Sequence, residues 1–367
     1  MKKMKYIYNQ PIPKYLFGDE ETIASSLFVD IETTGLSPKN SSIYLIGAAH
    51  YTNGQLEILQ WFAETPEEEK DILIRFSDFI KDYKTLIHFN GNQFDIPFLQ
   101  NRMLLHEMDD SFVEKEGIDL YKRVLPRKNF LKLPNCRQKT IEQFLGIQRK
   151  DTCSGGDLIP IYQQYCIHPS QEHLDMLLLH NKEDVLYLTQ ILPILAYNDL
   201  FQEAPTVIKV QERTYENMIG EEALEVFLTL KLPVDLPTPI SVNAKDFYFT
   251  AQGNNGLLRV PVVQEELKYF YSNYKEYYYL PEEDVAIHKG LATFVDKEYR
   301  VQAKASTCYT RKQSSYIPQW EPCISPVFKK EYNSSALYFE WTDEIKENKK
   351  QLNHYAAHIL SILATTE

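Results

Sequence analysis

The sequence predicts an α/β protein: a mixed sheet in βββαβα order flanked by helices, followed by a smaller α+β module. Three strand-like runs appear after residue 24, and a helical, a strand-like and a second helical segment follow them. Past Asn198 the chain becomes tyrosine-rich, with alternating strand-like stretches such as DFYFTAQG and KYFYSNYKEYYYL. A length of 367 residues also favours two cores over one. The expected division is an N-terminal extension (1–23), a first domain (24–200) and a C-terminal module (201–367), with the boundary near residues 200–210.

The opening strands are SSLFVDI, SIYLIGAAHY and QLEILQWFA, separated by the turn-rich TTGLSPKNS and by Asn53-Gly54, a hairpin signal. Thr65-Pro66-Glu67-Glu68 then reads as an N-cap, a proline at the first helical position and a capping-box glutamate, leading into the amphipathic EEEKDILIRFSDFIKDY. TLIHFN is a buried strand, Gly91-Asn92 a turn, and FDIPFLQNRMLLHEM a second helix. Thr140 to about Tyr197 is helical, with breaks at Gly146, Cys153 to Gly156 and Pro169. A charged helix from about Asp343 to Leu363 ends the chain, and no internal repeat is evident.

Composition narrows the function. No apolar run approaches the ~20 residues that span a bilayer, so no membrane partner is expected. MKKMKYIYNQPIPKY has the basic start of a secretory signal without its apolar stretch, and the five scattered cysteines form no C-x-x-C pair; both point to a reducing, cytoplasmic setting. The net charge of -12 looks hostile to nucleic acid, yet nine basic residues stand against Glu142 alone between Tyr121 and Lys150. That local +8 suits either an electrostatic track for a polyanion or a solvated basic loop.

Four carboxylates carry the chemistry. Asp30 and Glu32 are two apart on a strand, so both side chains leave the same face. Ionised carboxylates are costly to bury without a partner, so such a pair is either exposed or holds a hard cation. Asp95 begins the helix after TLIHFN, where it also complements the helix dipole. His180 and Asp184, four apart, share a helix face. Each feature alone has a bland reading, but the four acids can converge in a three-layer α/β domain. Two Mg²⁺ or Mn²⁺ ions roughly 4 Å apart on such ligands are what phosphodiester hydrolysis uses, and a histidine suits proton transfer near neutral pH.

The segments FVDIETTGL, IHFNGNQFDIPFL and LHNKEDVLYL resemble the three motifs of the DEDD exonuclease superfamily. DLYKRVLPRKNFLKLPNCRQKTIEQFLGIQR with SGGDLIPIYQQY resembles its YprB-type ribonuclease H-like domain, over roughly residues 24–198. The resemblance implies a ribonuclease H-like fold and a 3'-to-5' exonuclease acting on single-stranded DNA or RNA. It implies that Asp30, Glu32 and Asp184 hold one metal ion, Asp30 is shared with a second, Asp95 acts through metal-bound water, and His180 orients or deprotonates the nucleophile. It also implies that the backbone of Thr33 to Leu36 packs against the terminal nucleotide. Three residues separate His180 from Asp184, the spacing of the tyrosine branch, so the histidine stands in the tyrosine slot.

Further candidates are Asn92, which either bonds substrate or makes the turn with Asn90 and Gly91, and Arg137 and Lys139, which either touch phosphates or face solvent. Trp61, Trp320 and Trp341 read as packing residues. Lys289 to Lys330 mixes eight basic residues with aromatics, which suits either single-stranded nucleic acid or ordinary sheet. Two other functions share the fold: a non-catalytic nucleic-acid-binding module and an endonuclease.

Overall fold

The computed structural model describes residues 1–12, 20–216, 220–244 and 246–365, in two compact units, Met1–Asn198 and Asp199–Glu367. Residues 13–19, part of the expected N-terminal extension, lie outside the described residues.

In the first unit, β1 (Lys2–Tyr8) and α1 (Glu20–Ala24) precede β2 (Ser26–Thr33), β3 (Ile43–Thr52) and β4 (Gln55–Phe62). Then come α2 (Glu69–Ile80), β5 (Thr85–His88), α3 (Asp95–Leu105), β6 (Glu116–Asp119), α4 (Leu120–Val124), α5 (Gln138–Phe144), α6 (Gly155–Ile167) and α7 (Gln171–Gln190), and the short α8 (Ala196–Asp199) runs across the division at Asn198. The βββαβα order is present as β2-β3-β4-α2-β5-α3. Sheet order is β1-β4-β3-β2-β5-β6, with β2, β5 and β6 parallel and the other pairings antiparallel. Two strands escaped the sequence reading. Lys2–Tyr8, from the stretch expected to be an extension, pairs with β4 as an edge strand, and its alternating burial reflects one covered face. β6 is too short to show a period of two.

Pleating divides the central strand. Leu27, Val29 and Ile31 pack with Ile72, Leu73 and Phe76 of α2 and Phe98 and Leu99 of α3. On the opposite face Tyr44, Leu45 and Phe62 meet Leu158, Tyr162 and Tyr165 of α6 and Leu174, Leu177 and Leu178 of α7. Each such buried side chain contributes roughly 1.5–3 kcal/mol. Asp30 and Glu32 therefore leave β2 toward α7, into a layer otherwise closed by leucine and tyrosine. A β-bulge at Glu32/Thr33 ends the regular pairing of β2 with β3 at the site.

The turn into α2 differs from expectation. Pro66–Glu68 form a single 3₁₀ turn, Thr65 makes no capping bond to the backbone, and Glu68 accepts the N–H of Glu64 at 2.8 Å rather than that of Thr65. A 3₁₀ start moves the third residue's carboxylate off the N-cap amide.

The second unit contains β7 (Thr206–Glu216), β8 (Glu222–Ala244), β9 (Phe247–Phe270), β10 (Tyr277–Leu280), β11 (Val285–His288), β12 (Val301–Gln302), β13 (Tyr309–Gln319), β14 (Leu337–Glu340), α9 (Asp343–Glu347) and α10 (Lys349–Thr365). Its sheets run β14-β13-β9-β8-β7 and β11-β10-β12, all antiparallel. The expected C-terminal helix is broken at Asn348, whose ψ of 81 is not helical. Trp61 and Trp341 are buried, and Trp320 packs edge-on to Phe247 at 5.0 Å. Within the basic stretch, Arg311 pairs with Asp284, Lys312 with Glu340 and Lys330 with Glu265. The five cysteines are free, and among the described residues no helix is long and apolar enough to cross a membrane.

Candidate active site

Three segments bring the acids together. Asp95, first residue of α3, accepts the N–H of Ile31 at 3.2 Å, which docks the helix start beside Asp30 and Glu32. Asn181 on α7 donates Nδ2 to Asp30 Oδ2 at 2.9 Å and is held in turn by Gln60 Nε2 at 2.8 Å. That approach requires Gly47, the register partner of Asp30 on β3: a Cβ there would strike Asn181 and Val185. The residue of α7 preceding Asn181, His180, places Nε2 3.2 Å from Oδ2 of Asp184, one turn further along, and 3.6 Å from Glu32 Oε1.

Burial dominates the electrostatics of the cluster. Burial, followed by the charges of Asp184 and Asp95, pushes the Asp30 and Glu32 carboxyls well above their ordinary values. Burial likewise pushes Asp95 up to about 7. Among the described residues no Lys or Arg pairs with Asp30, Glu32 or Asp95. Buried oxygen donors with no compensating cation of their own fit a hard divalent ion, which would also reverse the upward shifts.

A surrounding ring of charge was not legible in the sequence. Arg149, its side chain only 7% exposed, places Nη1 2.5 Å from Asp184 Oδ1 and grips Glu142 through Nε and through Nη2 at 2.6 Å. Burial opposes its charge, but Glu142 and Asp184 more than compensate, raising its pKa. Asp151 accepts from His180 Nδ1 at 2.8 Å and Lys139 Nζ at 3.0 Å. Burial works against the Asp151 carboxylate too, yet Lys139, the Cys153 N–H and His180 hold it below its usual range. Buried Glu183 accepts the Asp151 N–H at 2.9 Å and so anchors this loop on α7.

Of the predicted site residues, Asp30, Glu32, Asp95, His180 and Asp184 meet in this cluster. Thr33 is buried and donates its hydroxyl to the Gly35 carbonyl at 2.8 Å, while Leu36 is 85% exposed. Asn92 is exposed, and the backbone amides of Asn90 and Asn92 bond Asp119 at 2.9 and 3.3 Å, the turn-forming arrangement. Asn90 sits at φ 60, and a Cβ on Gly91 would meet the His88 ring. Arg137 is exposed at the start of α5, whereas Lys139 reaches inward to Asp151 and the Cys153 carbonyl. Two members of the basic block, Lys139 and Arg149, thus serve the site's own carboxylates.

Comparison with known proteins bears on the first unit. Residues 27–196 match a family described as RNase_H superfamily, and that stretch is an RNase_H superfamily domain. A "DNA polymerase 1" of Sulfurisphaera ohwakuensis is 34% identical over 19% of this chain and 9% of its own length. Similar solved structures include the family B DNA polymerase of Pyrobaculum calidifontis (14% identity, TM-score 0.37, 68% of this chain and 35% of that chain). E. coli Exonuclease I in complex with a dT13 oligonucleotide gives 12% identity and TM-score 0.30 over 56% of this chain and 54% of that chain. Brucella melitensis NrnC bound to pGG gives 15% and 0.32 over 48% and 74%.

Proposed function

We propose that the first unit is a metal-dependent 3'-to-5' exonuclease that hydrolyses single-stranded nucleic acid. Asp30, Glu32, Asp95 and Asp184 would hold two divalent cations, Mg²⁺ or Mn²⁺. The observation that carries the reading is that Asp30, Glu32 and Asp95, which no Lys or Arg pairs with among the described residues, meet from two segments with Asp184 from a third. Bound cations would supply Lewis-acid stabilisation of phosphoryl charge and a hydroxide nucleophile at neutral pH.

The chain's own residues prepare that chemistry. Asn181 fixes the rotamer of Asp30, the Ile31 amide fixes Asp95, and Arg149 fixes one oxygen of Asp184 while leaving the other facing the cluster. Preorganised donors lose little entropy when a ligand or developing charge arrives. Thr33, Leu36, Asn92 and Arg137 are the candidate contacts for the terminal nucleotides and their phosphates, and Lys139 acts through Asp151. The C-terminal module is assigned to substrate or partner contact.

Matched 3'- and 5'-labelled RNA and DNA strands, digested with Mg²⁺, Mn²⁺ or EDTA, test the proposal. Stepwise shortening from the 3' end in metal alone is expected. Cutting of a circular single strand would make the enzyme an endonuclease. Retained strand binding with no cleavage in any metal would make it a binding module.

A further inference from the structure

We propose that His180 is a nitrogen donor to the cation site, beside Glu32 and Asp184, and that Asp151 is the positioning residue that presents it. The site then takes a transition-metal ion that accepts imidazole nitrogen, such as Mn²⁺ or Co²⁺, in preference to Mg²⁺. This deepens the nuclease reading and rests on it for the purpose of the site.

The donor atoms of Glu32, His180 and Asp184 all lie within 4.8 Å of one another. Adjacent corners of an octahedron with bonds near 2.1 Å are about 3 Å apart. The 3.2 Å between His180 Nε2 and Asp184 Oδ2, and the 3.6 Å to Glu32 Oε1, approach that edge length. His180 is 4% exposed and Glu32 7%, so water has little room to separate these donors.

The far side of the ring decides which nitrogen is free. Nδ1 is 2.8 Å from Asp151 Oδ2, a carboxylate that also takes Lys139 Nζ at 3.0 Å on Oδ2 and the Cys153 N–H at 3.0 Å on Oδ1. An ionised carboxylate only accepts, so Nδ1 donates to Asp151 and Nε2 is the nitrogen turned toward the two further carboxylates, Glu32 and Asp184. Carboxylate–imidazole–metal chains have this form, with the outer acid fixing tautomer and orientation. Imidazole nitrogen suits transition-metal ions, whereas Mg²⁺ favours oxygen and retains its waters. His180 thereby acts as a ligand instead of accepting the proton of the attacking water.

The test uses the full chain, stripped with EDTA and loaded with Mn²⁺ alone. Pulsed EPR should show ¹⁴N coupling from imidazole, and His180→Ala should remove it. In calorimetry, His180→Ala and Asp151→Asn should each weaken Mn²⁺ by tenfold or more, on the order of the effect of losing a ligand's outer partner. Their Mg²⁺ affinities should change by less than about threefold, because an all-oxygen ion uses the carboxylates alone. Mn²⁺ bound to wild type without ¹⁴N coupling would overturn the proposal and leave His180 as a counter-charge or proton acceptor. Equal weakening of both ions in the variants would also overturn it. The wild-type spectrum decides even if a variant fails to fold. Strand cleavage is scored separately: nitrogen-coordinated Mn²⁺ on a protein that cuts nothing defeats the nuclease reading alone, and cleavage with all-oxygen Mn²⁺ defeats this one alone.

Discussion

The two units treat charge in opposite ways. Every buried Asp, Glu and His among the described residues lies in the first unit. Among its described residues the second unit buries only the neutral Gln319 of its polar side chains and keeps acids in partly exposed pairs such as Lys330–Glu265 and Lys312–Glu340. Exposed pairs contribute about 0–1 kcal/mol each, whereas a buried, unneutralised carboxylate costs several. A fold often carries that cost where it serves a ligand or a reaction, and the contrast supports the site proposed in the first unit.

The comparison can be broken most decisively at Asp30. Asp30→Asn should lower cleavage by about a thousandfold or more, since the proposed metal ligand's charge is lost, while strand binding persists. Asp284→Asn in the second unit should leave cleavage unchanged. Gel assays with labelled strands check both.

Next comes the buried cation. Arg149→Met leaves Glu142 and Asp184 uncompensated and should destabilise the first unit by about 3–5 kcal/mol, read in denaturant melts. Lys330→Met, which opens an exposed pair, should cost less than about 1 kcal/mol.

The pH response should also separate the units. Asp95 has a folded value of about 7 against an ordinary 3.8, so the folded state holds its proton more tightly than the unfolded chain. Metal-free stability should therefore fall as pH rises from about 4 to about 7, and Asp30 and Glu32 act in the same direction. Asp95→Asn should remove up to about 4 kcal/mol of that fall, and Mn²⁺ should offset it in wild type. Asp284, held low by the Tyr309 and Tyr279 hydroxyls, works the other way: its contribution is present above its unfolded value and lost as pH falls through its folded one. Thermal melts at pH 4, 6 and 8 with EDTA and with Mn²⁺ test these signs.

The smallest effect concerns backbone space. Gly47→Ala should cost about 1–3 kcal/mol by pushing α7 off β3, and should weaken Mn²⁺ binding because Asn181 no longer orients Asp30. A Cβ at Gly54 meets nothing, and only its φ of 74 opposes substitution, so Gly54→Ala should leave metal affinity intact.

The i, i+2 spacing of Asp30 and Glu32, the four-residue spacing of His180 and Asp184, and the order of strands and helices were legible because each is a local period that backbone geometry imposes on neighbouring residues. From these alone came the α/β layering, the face from which the two acids leave β2, and the position of Asp95 at a helix start. Only tertiary structure decided that Arg149 and Lys139 turn inward while Arg137 stays out, that Asp151 takes the far nitrogen of His180, and that Asn181 passes over Gly47 to reach Asp30. It also decided that Lys2–Tyr8 completes a sheet whose partner strand begins more than fifty residues later. Those contacts depend on which distant surfaces meet once apolar faces are buried, and charge, unlike hydrophobic period, leaves no local trace of the partner it will find.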